Sequence, residues 1–318
     1  MFTQTNEIRI ETSTICNYHC LMCARDTFRR KQEIMSNSLF DSIVAKTKRE
    51  LPHIHIATVS GFGEFSTDPQ WRHKIVTAAS NFERIHIVTN VSLLDKKDIL
   101  FLLDHVSDIR ISVYGLDQAT YKVVHNPPPS ITYRAIYESI HFLAQNKNSH
   151  QRIILNYIEI DANHHQTADW ISYWEKKVDL IEVWKPHNWI DSKCYRDLST
   201  QRLLTCGRPF KGPIQVQVDG TVNVCCFDYN GEMLIGDLRS ESFTEIFNGE
   251  RMEYIQKLHA GCNVDQLPLC RICDQRNSNE SKATNAIYNS QFPIYKRIHA
   301  TSTEYDSLID NRQRYLEV

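Results

Sequence analysis

No apolar run in this 318-residue sequence approaches the roughly 18 to 20 residues that a bilayer-spanning helix needs. The opening stretch, MFTQTNEIRIET, lacks the basic, apolar and small-residue order of a secretory leader. Charge of either sign is not in excess: 36 Lys and Arg stand against 38 Asp and Glu, for a net charge of -2 and a pI near 6.7. No global basic field therefore argues for nucleic acid. Repeats and low-complexity segments are also missing. These absences disfavour a membrane or nucleic-acid protein and leave a soluble cytoplasmic one as the expectation. The length suits one large domain or two unequal ones, and a 42% hydrophobic, 23% charged composition is ordinary for a globular chain.

Cysteine is what the sequence has in quantity. Ten occur, at 16, 20, 23, 194, 206, 225, 226, 262, 270 and 273. A secreted chain would use them for disulfides; in a cytosolic one, clustered cysteines point to metal or catalysis.

The first two thirds alternate short β-branched runs with longer amphipathic ones. Strands are expected over 7–13, 54–60, 84–90, 108–115, 152–160 and 178–184. Helices are expected over 37–51, 70–82, 96–106, 117–124, 131–146 and 165–176. About six β-α units without hairpin turns imply a parallel sheet or barrel. The prolines of HNPPPS (125–130) break one helix. Beyond about residue 190 the texture changes. IQVQVDGTVNV (214–224) is two alternating runs joined by Asp-Gly, a strong hairpin signal. Helices at 240–248 and 249–260 and the pair Cys270/Cys273 follow. The expected fold is α/β: a partial (β/α)6 TIM-like barrel over 1–190, then a small Cys-rich α+β module over 191–275. A polar, partly helical extension covers 276–318.

Two cysteine constellations carry chemistry. Cys16, Cys20 and Cys23 have the spacing C-x3-C-x2-C on the loop leaving the first strand. A structural zinc site usually takes four ligands, commonly two C-x2-C pairs. Three thiolates can instead hold three irons of a [4Fe–4S] cluster and leave the fourth iron open to a chelating small molecule. Cys206, the adjacent Cys225 and Cys226, and the Cys270/Cys273 pair form the second set. Four sulfurs from three segments can ligate zinc or a [4Fe–4S] cluster, and spacing alone does not choose between them.

With these motifs in this order, the sequence resembles the radical SAM superfamily. SGFGEF (60–65) stands at the end of the second strand, where members carry a Gly-Gly-Glu-like motif. The resemblance assigns Gly61, Gly63 and Glu64 to the amino group of S-adenosylmethionine, although Phe62 interrupts the glycine pair. TNV (89–91) matches the TNG that ends the third strand of many members except at the glycine, leaving Thr89 and Asn90. SVYG (112–115) matches SxxG, with Ser112 near the cofactor, and Met22 occupies a position that usually lies against adenine. His53 and His55 are expected to pack along the second strand. The segment CGRPFKGPIQVQVDGTVNVCCFDYNGEMLIGDL with SFTEIFNG (206–249) is similar to the SPASM extension or its shorter twitch form. With no cysteine after 273, one auxiliary cluster is implied, held by Cys206, Cys225, Cys270 and Cys273, with Cys226 as the alternative to Cys225.

The resemblance implies reductive cleavage of S-adenosylmethionine at the first cluster, giving a 5′-deoxyadenosyl radical that removes hydrogen from substrate. The leading expectation is radical dehydrogenation of a small molecule such as a cyclitol or amino sugar. The alternative is crosslinking or epimerisation of a ribosomal peptide, and a non-catalytic metal-binding scaffold is the reading of another class. A flavodoxin or ferredoxin would be the reducing partner. Cys194 and Cys262 are the candidate thiols for giving hydrogen back to a substrate radical. Tyr114, Asn156, Glu159, Trp184, Lys185 and His187, near strand ends, are candidates to touch substrate.

Overall fold

The structure is a computed structural model. It describes residues 5–190, 192–195, 197–198, 200 and 202–277, together with the backbone of 284–289. Six parallel strands alternate with six helices: β1 (Glu7–Ile10), α1 (Asn37–Glu50), β2 (Ile56–Val59), α2 (Trp71–Ala79), β3 (Arg84–Thr89), α3 (Lys96–His105), β4 (Asp108–Ser112), α4 (Gln118–His125), α5 (Tyr133–Asn146), β5 (Arg152–Ile158), α6 (Thr167–Trp174) and β6 (Leu180–Trp184). They pair in sequence order from β1 to β6. The β-branched, apolar side chains on one face of each strand, such as Ile8, Ile10, Ile85, Ile87, Ile109 and Ile111, are buried in the core. Burial of that continuous layer drives the fold at about 25 cal/mol per Å² of apolar surface.

Helix ends follow local chemistry. Ser36 caps α1 by accepting from the Leu39 amide at 3.2 Å, and Asp95 and Asp98 form a reciprocal capping box on α3. Asn126 adopts left-handed backbone (φ 42°) and stops α4 in front of Pro127. Proline disfavours helical backbone in the residue before it, so His125 is the last helical position.

The C-terminal region continues through α7 (Arg208–Lys211), β7 (Ile214–Val216), β8 (Thr221–Asn223), β9 (Leu234–Asp237), α8 (Phe243–Phe247), α9 (Glu250–Ala260) and α10 (Pro268–Arg271), with strand β10 over Thr284–Asn289. The expected hairpin is β7–β8, turning through Asp219 and Gly220 (φ 90°). It does not stand apart from the barrel. β7 pairs in parallel with β1, Arg9 opposite Gln215, so one sheet runs β10-β6-β5-β4-β3-β2-β1-β7-β8-β9. In the extension, read as partly helical, 284–289 form a strand antiparallel to β6; 278–283 and 290–318 lie outside the described residues. His53 and His55 do not pack along β2 as expected. Both are exposed in the turn before it, where His55 faces Glu83 at 3.0 Å. Among the described residues no helix is long and apolar enough to cross a membrane.

Candidate functional site

The loop after β1 is closed at its base by a bridge between Ser13 and Ile34 and by hydrogen bonds from the Thr14 amide to the Glu33 carbonyl and from the Met35 amide to the Thr12 carbonyl. Cys16, Cys20 and Cys23 lie on this loop, each half-buried. Burial raises all three thiol pKa values, Cys23 to about 11, and each thiol is within electrostatic reach of another. Burial first, with repulsion from neighbouring thiols added at Cys20 and Cys23, favours the protonated thiols until positive charge stands among the sulfurs. Hydrogen-bond donors already face the set: the Tyr18 amide at 3.4 Å from Cys16 Sγ, the Arg25 amide towards Cys23, and His125 Nδ1 at 3.4 Å from Cys20 Sγ.

The SGFGEF turn lies directly against this loop. Amides of Gly63 and Glu64 donate to the carbonyls of Ser13 and Ile15 at 3.1 and 2.9 Å. A Cβ on Gly63 would overlap the carbonyl oxygens of Ile15 and Ser13, and one on Gly61 would overlap the Glu11 side chain. Both glycines are therefore required by close backbone and side-chain approach. Glu64 is buried beneath them. Its carboxylate accepts from Thr89 Oγ1 (2.7 Å), the Asn90 amide (2.7 Å) and Ser66 Oγ (2.8 Å), tying the ends of β2 and β3 together. Burial raises its pKa despite those bonds. Asn90 in turn donates from Nδ2 to Asn17 Oδ1 (3.0 Å), reaching back to the cysteine loop. Val91 occupies left-handed backbone (φ 55°) at the position where TNG would have its glycine, a strained state for a β-branched residue. Ser112 lies beside the Tyr114 hydroxyl at the end of β4. Met22 is buried against Tyr114, Val124 and Ile160.

Glu11, for which no sequence motif speaks, joins the parts. It accepts both Nη atoms of Arg30 (2.7 and 2.9 Å), the Phe62 amide (2.8 Å) and the Val218 amide (3.0 Å). Arg30 Nε also donates to the Tyr229 carbonyl at 2.6 Å. Phe62, the residue that interrupts the glycine pair, is stacked between Phe28 (4.7 Å) and Tyr229 (5.1 Å), with the Trp189 edge at 6.0 Å. One carboxylate and one ring thus connect the cysteine loop, the SGFGEF turn and the C-terminal hairpin.

The second thiol set is gathered from three segments. Cys225 is within electrostatic reach of Cys206 and Cys273, and Cys270 of Cys206 and Cys273. Burial raises the Cys270 and Cys273 pKa values to about 12 and about 11. Arg202 and Arg276 hold the C-x2-C turn by donating to the carbonyls of Cys273 (2.8 Å) and Cys270 (2.9 Å) respectively. Cys226 is within electrostatic reach of both Cys225 and Arg9. Tetrahedral zinc at about 2.3 Å from each sulfur draws the sulfurs to about 3.8 Å from one another. The donors of both sets are cysteine thiols alone, the ligand type that an iron–sulfur cluster would take.

The barrel interior is polar. Arg9 donates to Glu7 (2.7 Å), which also accepts from Thr58 (2.7 Å). Asp108 holds Arg84, His86 and Arg152. Arg110, Asn156 (3.1 Å) and Trp184 (3.0 Å) converge on buried Glu182. Arg110 and Arg9, three strands apart, sense each other's charge across this interior. Burial in company with Arg9 and Arg152 lowers the Arg110 pKa to about 10, against the opposing pull of Asp108 and Glu7. Of the other strand-end candidates, Tyr114 is stacked on His125 at 4.5 Å and His187 packs edge-on against Phe227 at 4.5 Å. Glu159 and Lys185 are half-buried just beyond β5 and β6. Cys194 and Cys262 are both exposed, whereas Cys226 is half-buried and within electrostatic reach of Arg9.

Comparison with known proteins agrees with this geometry. No curated protein matches the chain. The crystal structure of BtrN in complex with AdoMet and 2-DOIA superposes with a TM-score of 0.62 at 15% identity, covering 86% of this chain and 94% of that one. Native anSMEcpe with bound AdoMet gives 0.63 at 13% identity, over 87% and 92%. Streptococcus suis SuiB bound to the precursor peptide SuiA gives 0.64 at 10% identity, over 83% and 67%. The iron-sulfur cluster-binding SPASM domain matches residues 206–274, and the radical SAM superfamily matches residues 10–171. The chain is an enzyme that belongs to the radical SAM superfamily and carries a C-terminal SPASM domain, with S-adenosylmethionine, a [4Fe–4S] cluster and an auxiliary cluster as its cofactors.

Proposed function

We propose that the enzyme dehydrogenates a small polar molecule, such as a cyclitol or amino sugar. The observation that carries this reading is the four-thiol set of Cys206, Cys225, Cys270 and Cys273. A cluster with a thiolate on every iron has no site for substrate and is suited to taking an electron. When bound, the cofactors supply hydrogen-atom abstraction at the first site and a one-electron sink at the second.

The chain's own residues provide the rest. Cys16, Cys20 and Cys23 would hold the first cluster, and the Gly61–Glu64 turn with Asn90, Ser112 and Met22 would border S-adenosylmethionine. Inside the barrel, Arg9 with Glu7 and Arg110 with Glu182 alternate donors and acceptors at fixed positions. Such an array suits hydroxyl and amino groups, because each polar group of a small ligand can find an opposite partner as water leaves. The neighbour BtrN, in complex with 2-DOIA and similar over 94% of its length, supports a compact substrate. SuiB with SuiA, and anSMEcpe with Kp18Cys peptide, support peptide maturation as the second reading. A flavodoxin or ferredoxin is proposed as electron donor.

The test is anaerobic turnover of reconstituted protein with S-adenosylmethionine and reductant, offering deuterated cyclitols and amino sugars beside peptides. Deuterium in 5′-deoxyadenosine and a product lighter by two hydrogens are expected from the small molecules. Transfer from peptides alone would replace this reading with the second, and 5′-deoxyadenosine without deuterium from either class would overturn both.

A further inference from the structure

His125 occupies a site that no motif assigns. It ends α4, is fully buried, and is enclosed by three tyrosines: Tyr114 stacked at 4.5 Å, Tyr121 tilted at 4.5 Å and Tyr18 edge-on at 5.6 Å. The Tyr18 and Tyr121 hydroxyls are 2.7 Å apart and hold each other in place beside the ring. The Tyr114 backbone N–H donates to His125 Nε2 at 2.9 Å. A backbone amide can only donate, so Nε2 must be the unprotonated acceptor, and the ring hydrogen resides on Nδ1. Nδ1 faces Cys20 Sγ at 3.4 Å. The tautomer is therefore set by the main chain of the strand-4 end, and it aims an N–H at one of the three loop sulfurs.

We propose that His125 is a positioning residue that donates an Nδ1–H hydrogen bond to the Cys20 thiolate and thereby raises the reduction potential of the cluster bound there. This rests on Cys20 being a cluster ligand. A donor to a ligating sulfur stabilises the added negative charge of the reduced cluster more than that of the oxidised one, and hydrogen bonds to sulfur are among the protein's main levers on potential. The enclosing rings exclude water, which strengthens the bond and prevents the ring from turning away. The asymmetry is specific: backbone amides face Cys16 and Cys23, whereas among the described residues Cys20 alone of the three sulfurs has a side-chain donor, His125.

The experiment compares wild type with His125→Phe, His125→Gln and the Cys16/Cys20/Cys23→Ala variant, all reconstituted anaerobically. Iron content and the midpoint potential of the first cluster, followed by EPR, are read for each. Phenylalanine keeps the ring and removes the donor, so reduction should become about tenfold less favourable, ~59 mV for one electron. Glutamine can accept from Tyr114 and still donate, and should recover most of the shift. In wild type labelled with 15N-histidine, pulsed EPR of the reduced cluster should show a nitrogen coupling. That measurement, with the glutamine variant, decides the matter even if His125→Phe does not fold. An unchanged potential with iron retained, or no nitrogen coupling, overturns the role of His125 while leaving the cluster assignment standing. Undiminished iron in the triple-cysteine variant overturns the assignment itself, and the inference with it.

Discussion

Replacing Glu11 should loosen the cysteine loop, the SGFGEF turn and the C-terminal hairpin at once. The Glu11 and Arg30 side chains are 7% and 14% exposed, and their contact is bidentate. An exposed ion pair contributes at most about 1 kcal/mol. Removing one partner of a buried pair costs about 3–5 kcal/mol, because the other charge is left without compensation. The same carboxylate also accepts the Phe62 and Val218 amides, each charge-assisted bond being worth about 1.5–3 kcal/mol and not additive with the rest. Glu11→Ala should therefore destabilise by about 4 kcal/mol or more. Glu11→Gln, which retains an acceptor but not the charge, should cost about 2–3 kcal/mol. Denaturant unfolding followed by circular dichroism gives the magnitude, and hydrogen exchange gives the location: protection should fall together at residues 27–30, 61–64 and 216–218. A loss under about 1 kcal/mol, the ceiling for an exposed pair, or a loss of protection confined to β1, would refute Glu11 as the common joint.

Gly63→Ala should abolish proper loop closure, since its Cβ would meet two backbone carbonyl oxygens that cannot retreat independently; reduced S-adenosylmethionine binding by calorimetry together with a lower Tm checks it. Cys225→Ser should lower iron content from about eight to about four per chain while Cys226→Ser leaves it unchanged; equal losses would return Cys226 to the ligand set. Glu7 predicts an acid limb. Burial alone would raise its pKa, but Arg9, Thr58 and His86 outweigh that and lower it from the usual 4.5 to about 2. Its contribution is thus present above about pH 4.5 and is lost as pH falls towards 2, on the order of 2–4 kcal/mol. Glu7→Gln should flatten that limb in stability measurements between about pH 5 and 2, and an unchanged slope would remove Glu7 from the account.

Much of this enzyme is legible in one dimension because its determinants are local. Strand and helix order follows from apolar period, and the first thiol set from the spacing of Cys16, Cys20 and Cys23 on one loop. The prolines after Asn126 mark the end of α4 through a steric effect on the preceding residue alone. Element ends shift by a few residues, as at β1, which stops at Ile10 where loop closure through Thr12 and Thr14 takes over the backbone hydrogen bonds.

The choice between Cys225 and Cys226 could not be local, since adjacent residues have nearly identical spacing to everything else. The proposal of Cys225 rests on its electrostatic reach to Cys206 and Cys273, a relation between segments far apart in the chain. Glu11 looks like any acidic residue after a strand until β7 is found beside β1, and the Phe62 insertion looks like a defect until Phe28 and Tyr229 arrive on its two faces. His125 reads as a helix-terminal histidine shortly before a run of prolines, with no hint of Cys20 far upstream in the chain. Sequence by itself determined the family, the fold class and the thiols, because covalent spacing and periodicity encode them. Only the tertiary structure decided which groups meet, because side-chain hydrogen bonds, ring stacking and charge act over a few ångströms in space, whatever the separation along the chain.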